Sequence, residues 1–249
     1  MKIRFLLLSL ALFTARLDAF DLVSSTHTSA VSILASEPEC VRLAVADLIG
    51  DAKKITGQTL PLTPNIQEAG VLIASMNHPE SVTLIEKISP GFGNSLKGKW
   101  EAYRVEIIAG KLIIAGSDER GTMFGIYHFI EEMLGVDPLY FWSGLEPEKR
   151  DTLAWETVKL SAGEPTFRFR GWFINDEDLL TEWMEGGGKR NIQYPFYSQT
   201  VNPMIMRAVA ESLVRSRCNM IIPASFIDIL NPPEKVLLDE CARRGVFLT

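Results

Sequence analysis

A short apolar run that ends on carboxylates constrains this chain more than any other feature. Phe167-Arg168-Phe169-Arg170 alternates apolar and basic residues, passes through Gly171, and becomes the apolar run Trp172-Phe173-Ile174. It then stops on Asn175-Asp176-Glu177-Asp178, four polar residues of which three are carboxylates. Strands commonly end in Gly, Pro or a turn, so one that delivers four polar groups at its carboxyl end concentrates polar chemistry there. In (β/α)8 barrels the active site lies at the C-terminal ends of the strands. The same residues also suit an acidic loop that caps the following helix, and the pattern alone admits both.

With 249 residues, 47% of them hydrophobic, the chain can build one large domain or two ordinary ones. A formal net charge of −6 argues against a nucleic-acid backbone as partner. At the N-terminus, Lys2 and Arg4 precede an apolar stretch at residues 5–13 that is too short to span a bilayer. Residues 1–19 therefore read as a signal peptide with cleavage near Ala15 or Ala19. The mature protein is expected to be secreted or periplasmic, with no membrane association after signal removal. Cys40, Cys218 and Cys241 cannot all pair within one chain, and His27, His78 and His128 are isolated from them and from each other. No metal-ligand spacing is present, so no metal site and no cofactor is predicted. Cys218 and Cys241 fall in apolar helical contexts and are expected to be buried free thiols.

Two rhythms divide the sequence. From residue 21 to 162 strands and helices alternate: a strand at 31–34, a helix at 40–55 ended by Gly57, a strand at 71–76, and a helix through Val82, Ile85 and Ile88. Two strands at 102–108 and 112–115 flank Ala109-Gly110-Lys111, a hairpin signal. The segment Gly116-Ser117-Asp118-Glu119-Arg120-Gly121 leads into a strongly apolar helix at 122–134. That segment lacks the lysine and spacing of a phosphate-binding loop, so Asp118 is read as an N-cap, with Gly121 and Gly125 permitting close helix–sheet packing. This order predicts a βαβαββα-like mixed-sheet α/β domain over 21–162. From residue 166 the order is strand (169–174), long connection, helix (204–217), strand (220–223), helix to Arg244 with Gly245 as its C-cap, and a third strand at 246–248. Arg215 and Arg217 sit where the dipole of the first of these helices favours cations. Two βα units and the start of a third cannot close an eight-stranded barrel. Residues 166–249 are therefore either a small open α/β layer or the front of a longer protein, such as the first βα units of a (β/α)8 barrel, incomplete in this chain. A last strand with no helix to cover it favours the second reading.

Several motifs then align in order with one family. Gly116-Ser117-Asp118-Glu119-Arg120-Gly121-Thr122 through Tyr127, Pro138-Leu139-Tyr140-Phe141-Trp142, Arg170-Gly171-Trp172-Phe173-Ile174-Asn175-Asp176-Glu177, and Asn219-Met220-Ile221-Ile222-Pro223-Ala224 resemble stretches of glycoside hydrolase family 115, the xylan α-1,2-glucuronidases. The resemblance runs from about residue 31 to the end. It implies a secreted hydrolase that removes glucuronic acid side chains from xylan, with a polysaccharide or oligosaccharide as partner. Departures occur at Ile222, where the family usually has an aromatic residue, at Ser225-Phe226-Ile227-Asp228, and in the insert Gly186-Gly187-Gly188-Lys189-Arg190 with Tyr194, Phe196 and Tyr197.

Glycoside hydrolysis generally uses two carboxyl groups flanking the bond. Asp176 and Glu177 are adjacent, so in extended chain they point to opposite faces and do not form that pair together. By the resemblance, the acid and base lie beyond Thr249. Asp176 is expected to bind sugar hydroxyls or orient a catalytic group, and Asn175 and Glu177 to contribute to the same substrate site. A barrel cut at its third strand is expected to be inactive alone. Two other classes fit the residues: a non-catalytic carbohydrate-binding or structural α/β module, and an unrelated small-molecule-binding α/β protein.

Overall fold

A computed structural model describes residues 19–175, 203–223, 229–230 and 232–249. In chain order these form β1 (Phe20–Val23), β2 (Ala30–Ile33), α1 (Glu39–Thr56), β3 (Ala69–Ser75), α2 (Pro79–Ile88), β4 (Tyr103–Ile108), β5 (Lys111–Gly116), α3 (Glu119–Phe129), α4 (Tyr140–Ser143), β6 (Leu153–Trp155) and β7 (Lys159–Ala162). After them come β8 (Gly171–Phe173), α5 (Pro203–Arg215), β9 (Met220–Ile222), α6 (Pro232–Arg243) and β10 (Phe247–Leu248).

The largest sheet runs β2-β3-β5-β4-β7, with β2, β3 and β5 parallel and β4 antiparallel to both its neighbours. Period-two alternation divides its side chains between two faces. Val71, Ile73, Leu112 and Ile114 join the core formed with α1 and α3, whereas Ala74, Ile113 and Ala115 pack with Ile85 of α2, Phe92 and Leu96. The hairpin between β4 and β5 turns on two residues at positive φ, Ala109 at 51° and Gly110 at 74°. Sequence reading identified only the glycine. It also missed β7, which closes the sheet edge, and the ribbon in which β1 pairs antiparallel with β6. These strands are three or four residues long, and too few residues alternate in them to register as a period.

The helix expected at 122–134 is buried as predicted, with Met123, Phe124, Ile126, Tyr127 and Phe129 all in the core. It begins three residues earlier, at Glu119, because the Asp118 carboxylate caps it by accepting from Gly121 N–H at 2.7 Å. It ends in a π turn at Ile130–Leu134, where Gly135 adopts the left-handed conformation. Gly116 allows the preceding strand to meet this helix: a Cβ there would lie 1.9 Å from the Thr122 backbone nitrogen. The Ser117–Gly121 segment is thus a packed helix cap, with no free amide cradle.

β8, β9 and β10 form a separate three-stranded sheet in the order β10-β9-β8, parallel throughout. α5 and α6 cover one side. Ile205, Met206, Val209, Leu213, Val214 and Ile221 share one continuous core with α1 and α3. The strand expected at 169–174 is confined to Gly171–Phe173, although Ile174 N–H still donates to Ile222 O at 2.9 Å. Cys40 and Cys241 are buried free thiols; Cys218, just past α5, is only half-buried.

The two parts of the chain are joined by a buried ionic network. Arg215 of α5, 3% exposed, donates to Asp51 of α1 at 2.8 Å and to Glu211 at 2.8 Å. Arg244 donates to Glu211 at 3.1 Å, to the Tyr127 hydroxyl at 2.7 Å, and to Asp47. Tyr127 in turn donates to Asp47 at 2.7 Å. Burial opposes the Arg215 charge, but Asp51 and Glu211 outweigh it and hold the guanidinium pKa above its ordinary value. Burial pushes the Asp51 carboxyl up while Arg215 draws it back down. The paired ionic state is the one this geometry supports, since each charge has a partner at 2.8 Å. Arg215 therefore does more than complement a helix dipole: it is an anchor between α1 and α5.

A second buried carboxyl lies at the carboxyl end of β3. Glu37 is fully buried and accepts from Ser75 N–H at 2.7 Å and Ser75 O–H at 2.6 Å. Burial raises its pKa, a shift the two Ser75 hydrogen bonds only partly offset. The folded state therefore holds its proton more tightly than the unfolded chain does. Its contribution is fully present below the unfolded pKa and is lost as pH rises through the raised folded value. Glu37→Gln is expected to flatten the fall in stability over that window, measured as denaturation midpoint against pH. An unchanged slope would show that the group does not titrate there.

Candidate functional site

The three parallel strands direct their carboxyl ends to one edge, with the register Phe173↔Ile222 and Ile221↔Leu248 aligning those ends. Asn175 follows β8 there, Pro223 follows β9 and Thr249 follows β10. Asn175 is exposed at this edge, as expected of a residue at a strand mouth. Asp176 and Glu177 lie outside the described residues, as do Ser225–Asp228 and the aromatic and basic residues from Lys189 to Tyr197. Of the three predicted substrate-binding residues, Asn175 alone can be located.

The amino ends of the same strands are held by an interlocking set of hydrogen bonds. Arg170 N–H donates to Asn219 Oδ1 at 2.9 Å, and Asn219 N–H returns a bond to Arg170 O at 2.8 Å. Asn219 is fully buried; its Nδ2 donates to Arg168 O at 2.7 Å and to Glu101 Oε1 at 2.8 Å. Phe247 N–H donates to Asn219 O at 2.7 Å, bringing β10 into the same arrangement. Gly171 is required by the close approach of β8 to β9, since a Cβ there would sit 1.9 Å from Met220 O. Arg170 and Gly171, from the strand-end motif, and Asn219, from the motif at 219–224, thus set strand position at the end opposite Asn175.

Glu101 is the acceptor at the centre of this set, and sequence reading missed it. Its carboxylate receives Arg170 at 2.6 Å, Arg120 at 2.9 Å and Asn219 at 2.8 Å. Its own N–H donates to Asp118 Oδ2 at 2.8 Å. The residue is 2% exposed and has φ of 52°, a region that residues other than glycine rarely occupy. Three donors on one buried carboxylate offset its desolvation. Glu101 carried no signal of its own, because its donors come from positions 19, 69 and 118 residues away.

On the side of the small sheet away from α5, Phe173 is 57% exposed. Trp172 and Ile221 point the other way, into the shared core. Among the described residues, no three His, Cys, Asp or Glu side chains gather to hold a metal ion. No described helix is long and apolar enough to cross a membrane.

Residues 162–247, which contain β8, β9 and the first residue of β10, match the sequence profile of Glycosyl hydrolase family 115. Over this segment the chain is similar to family 115 glycoside hydrolases. Among solved structures, the chain is similar to the family 115 4-O-methyl-α-glucuronidase BtGH115A, an enzyme described as having specificity for decorated arabinogalactans. The TM-score is 0.76 at 27% identity, covering 92% of this chain and 29% of that one. The chain thus spans less than a third of the length of that family 115 enzyme. A chitobiase from Flavobacterium johnsoniae (TM-score 0.53, 12% identity, covering 92% of this chain and 32% of that one) and a β-hexosaminidase from Streptomyces plicatus (0.57, 12%, 93% and 42%) share the fold. No curated protein matches the sequence.

Proposed function

We propose that the chain is the front of a secreted or periplasmic family 115 glycoside hydrolase that removes glucuronic acid side chains from a polysaccharide. In this reading residues 21–162 form an N-terminal α/β domain and residues 166–249 open a (β/α)8 catalytic barrel. Asn175, Asp176 and Glu177 contact the sugar, and later strands beyond Thr249 supply the catalytic acid and base. The observation that carries the reading is the family match, whose first strand is followed in sequence by Asn175-Asp176-Glu177. The exposed Phe173, on the side of the small sheet away from α5, supports it further, because the inward side of a barrel needs the remaining strands to cover it.

The polysaccharide backbone is xylan by the family resemblance, while BtGH115A is described as acting on decorated arabinogalactans. The test is incubation of a protein carrying these residues and the remaining barrel strands with 4-O-methylglucuronoxylan and with glucuronate-decorated arabinogalactan. Release of the glucuronic acid from at least one polymer, with the backbone left uncut, is the expected result. Backbone cleavage, or no release from either, would contradict the proposal.

A further inference from the structure

The C-terminal end of α1 and the segment 149–152 that leads into β6 border an open cleft of about 970 Å³. Its lining includes Lys53, Lys54, Lys149 and Arg150 against a single carboxylate, Asp151. Among the described residues, Lys54 alone of these four cations pairs with a carboxylate, Glu146 at 3.6 Å. Two of the cations also finish helix ends. Lys149 donates to Lys54 O at 2.5 Å, and Arg150 donates from its guanidinium to Leu134 O and from its backbone to Ile55 O at 3.2 Å.

Those bonds leave most donors unused, since an ammonium has three and a guanidinium five. Arg150 Nε is buried beside the cleft without an acceptor. Lys53 is exposed in the last turn of α1. A helix C-terminus favours nearby cations, which accounts for Lys149 and in part for Arg150. It does not require four cations against one carboxylate on a chain whose net charge is −6. The volume is at the upper end of the range for small-ligand sites and suits an oligomer better than a single ion.

We propose that this cleft is an ancillary binding site for an anionic oligosaccharide, whose uronate carboxylates are received by Lys53, Lys149 and Arg150. The identity of the ligand rests on the glucuronidase reading above; the positive character of the cleft does not. Each exposed charge contact is weak on its own, and repeated carboxylates along one glycan chain make binding effective by raising local concentration. Such a site holds an acidic polymer near the enzyme without taking part in bond cleavage.

Affinity electrophoresis through polygalacturonate, with neutral arabinan as comparison, tests this on the full protein at low salt. The wild type should be retarded by the uronate polymer only, and added salt should release it. Lys53→Glu alone, and Lys53→Gln with Lys149→Gln, should weaken retention by about fivefold or more. Lys235→Gln, which lies outside the cleft, should leave retention unchanged. Hydrolysis of a small aryl glucuronide, measured on the same proteins, reads the catalytic proposal separately and should be equal in all of them. Equal retention of wild type and Lys53→Glu, or equal loss in Lys235→Gln, would overturn the cleft assignment whether or not the enzyme is active.

Discussion

Asp51→Ala is expected to destabilise the protein by about 3–5 kcal/mol, the range for removing one partner of a buried ion pair. Asp51 accepts from Arg215 at 2.8 Å, and both side chains are almost fully buried. Its removal leaves the guanidinium with Glu211 as remaining partner, a carboxylate that Arg244 also claims. The cost should fall on the association of α1 with α5, and hence on the small sheet that α5 covers. Denaturant titration followed by tryptophan fluorescence checks this, since Trp142 donates to Ser212 of α5 at 2.7 Å and reports on the same junction. The double replacement Asp51→Leu with Arg215→Met should be much milder than Asp51→Ala, because it removes both charges from the buried site. Equal losses in the two proteins would show that packing volume, and not the unpaired charge, sets the cost.

Asp176→Ala is expected to lower kcat/KM for glucuronic acid release at least tenfold, about 1.4 kcal/mol of transition-state stabilisation. The expectation follows from the chain direction. β8 runs parallel to β9, Ile174 still bonds to Ile222 O, and Asn175 emerges exposed at the carboxyl edge immediately before Asp176. The melting temperature should scarcely change, since the buried bonds that hold the strands lie at their opposite ends, on Glu101 and Asn219. A variant that melts much earlier yet keeps its activity would mark Asp176 as a structural cap.

Long elements were legible in the sequence because their physical signals are local. The apolar spacing of α1, the buried face of α3, its Asp118 cap, and the helix ends at Gly57 and Gly245 each depend on neighbours within a turn or two. The antiparallel pairing of β4 with β5 was also readable, from a turn bounded by two apolar runs. What escaped was set by partners distant in sequence. β7 and the β1–β6 ribbon are too short to show a period, and their partners lie far along the chain. Glu101 and the Asp51–Arg215 pair look like ordinary surface charges until the fold brings their partners in from as far as 118 and 164 positions away. The motifs at 170–177 and 219–224 were recognised, but Arg170, Gly171 and Asn219 proved to position the strands. Of the predicted substrate-binding residues, Asn175 alone is among the described residues, at the strand mouth.

The most direct test of the account is a crystal structure of a complete enzyme containing these residues with glucuronic acid bound. The sugar is predicted to lie at the carboxyl ends of β8, β9 and β10, with a hydroxyl or its carboxylate within hydrogen-bond distance of Asn175 or Asp176. A sugar bound at the amino ends of those strands, or at a site that touches none of the three strand ends, would contradict it.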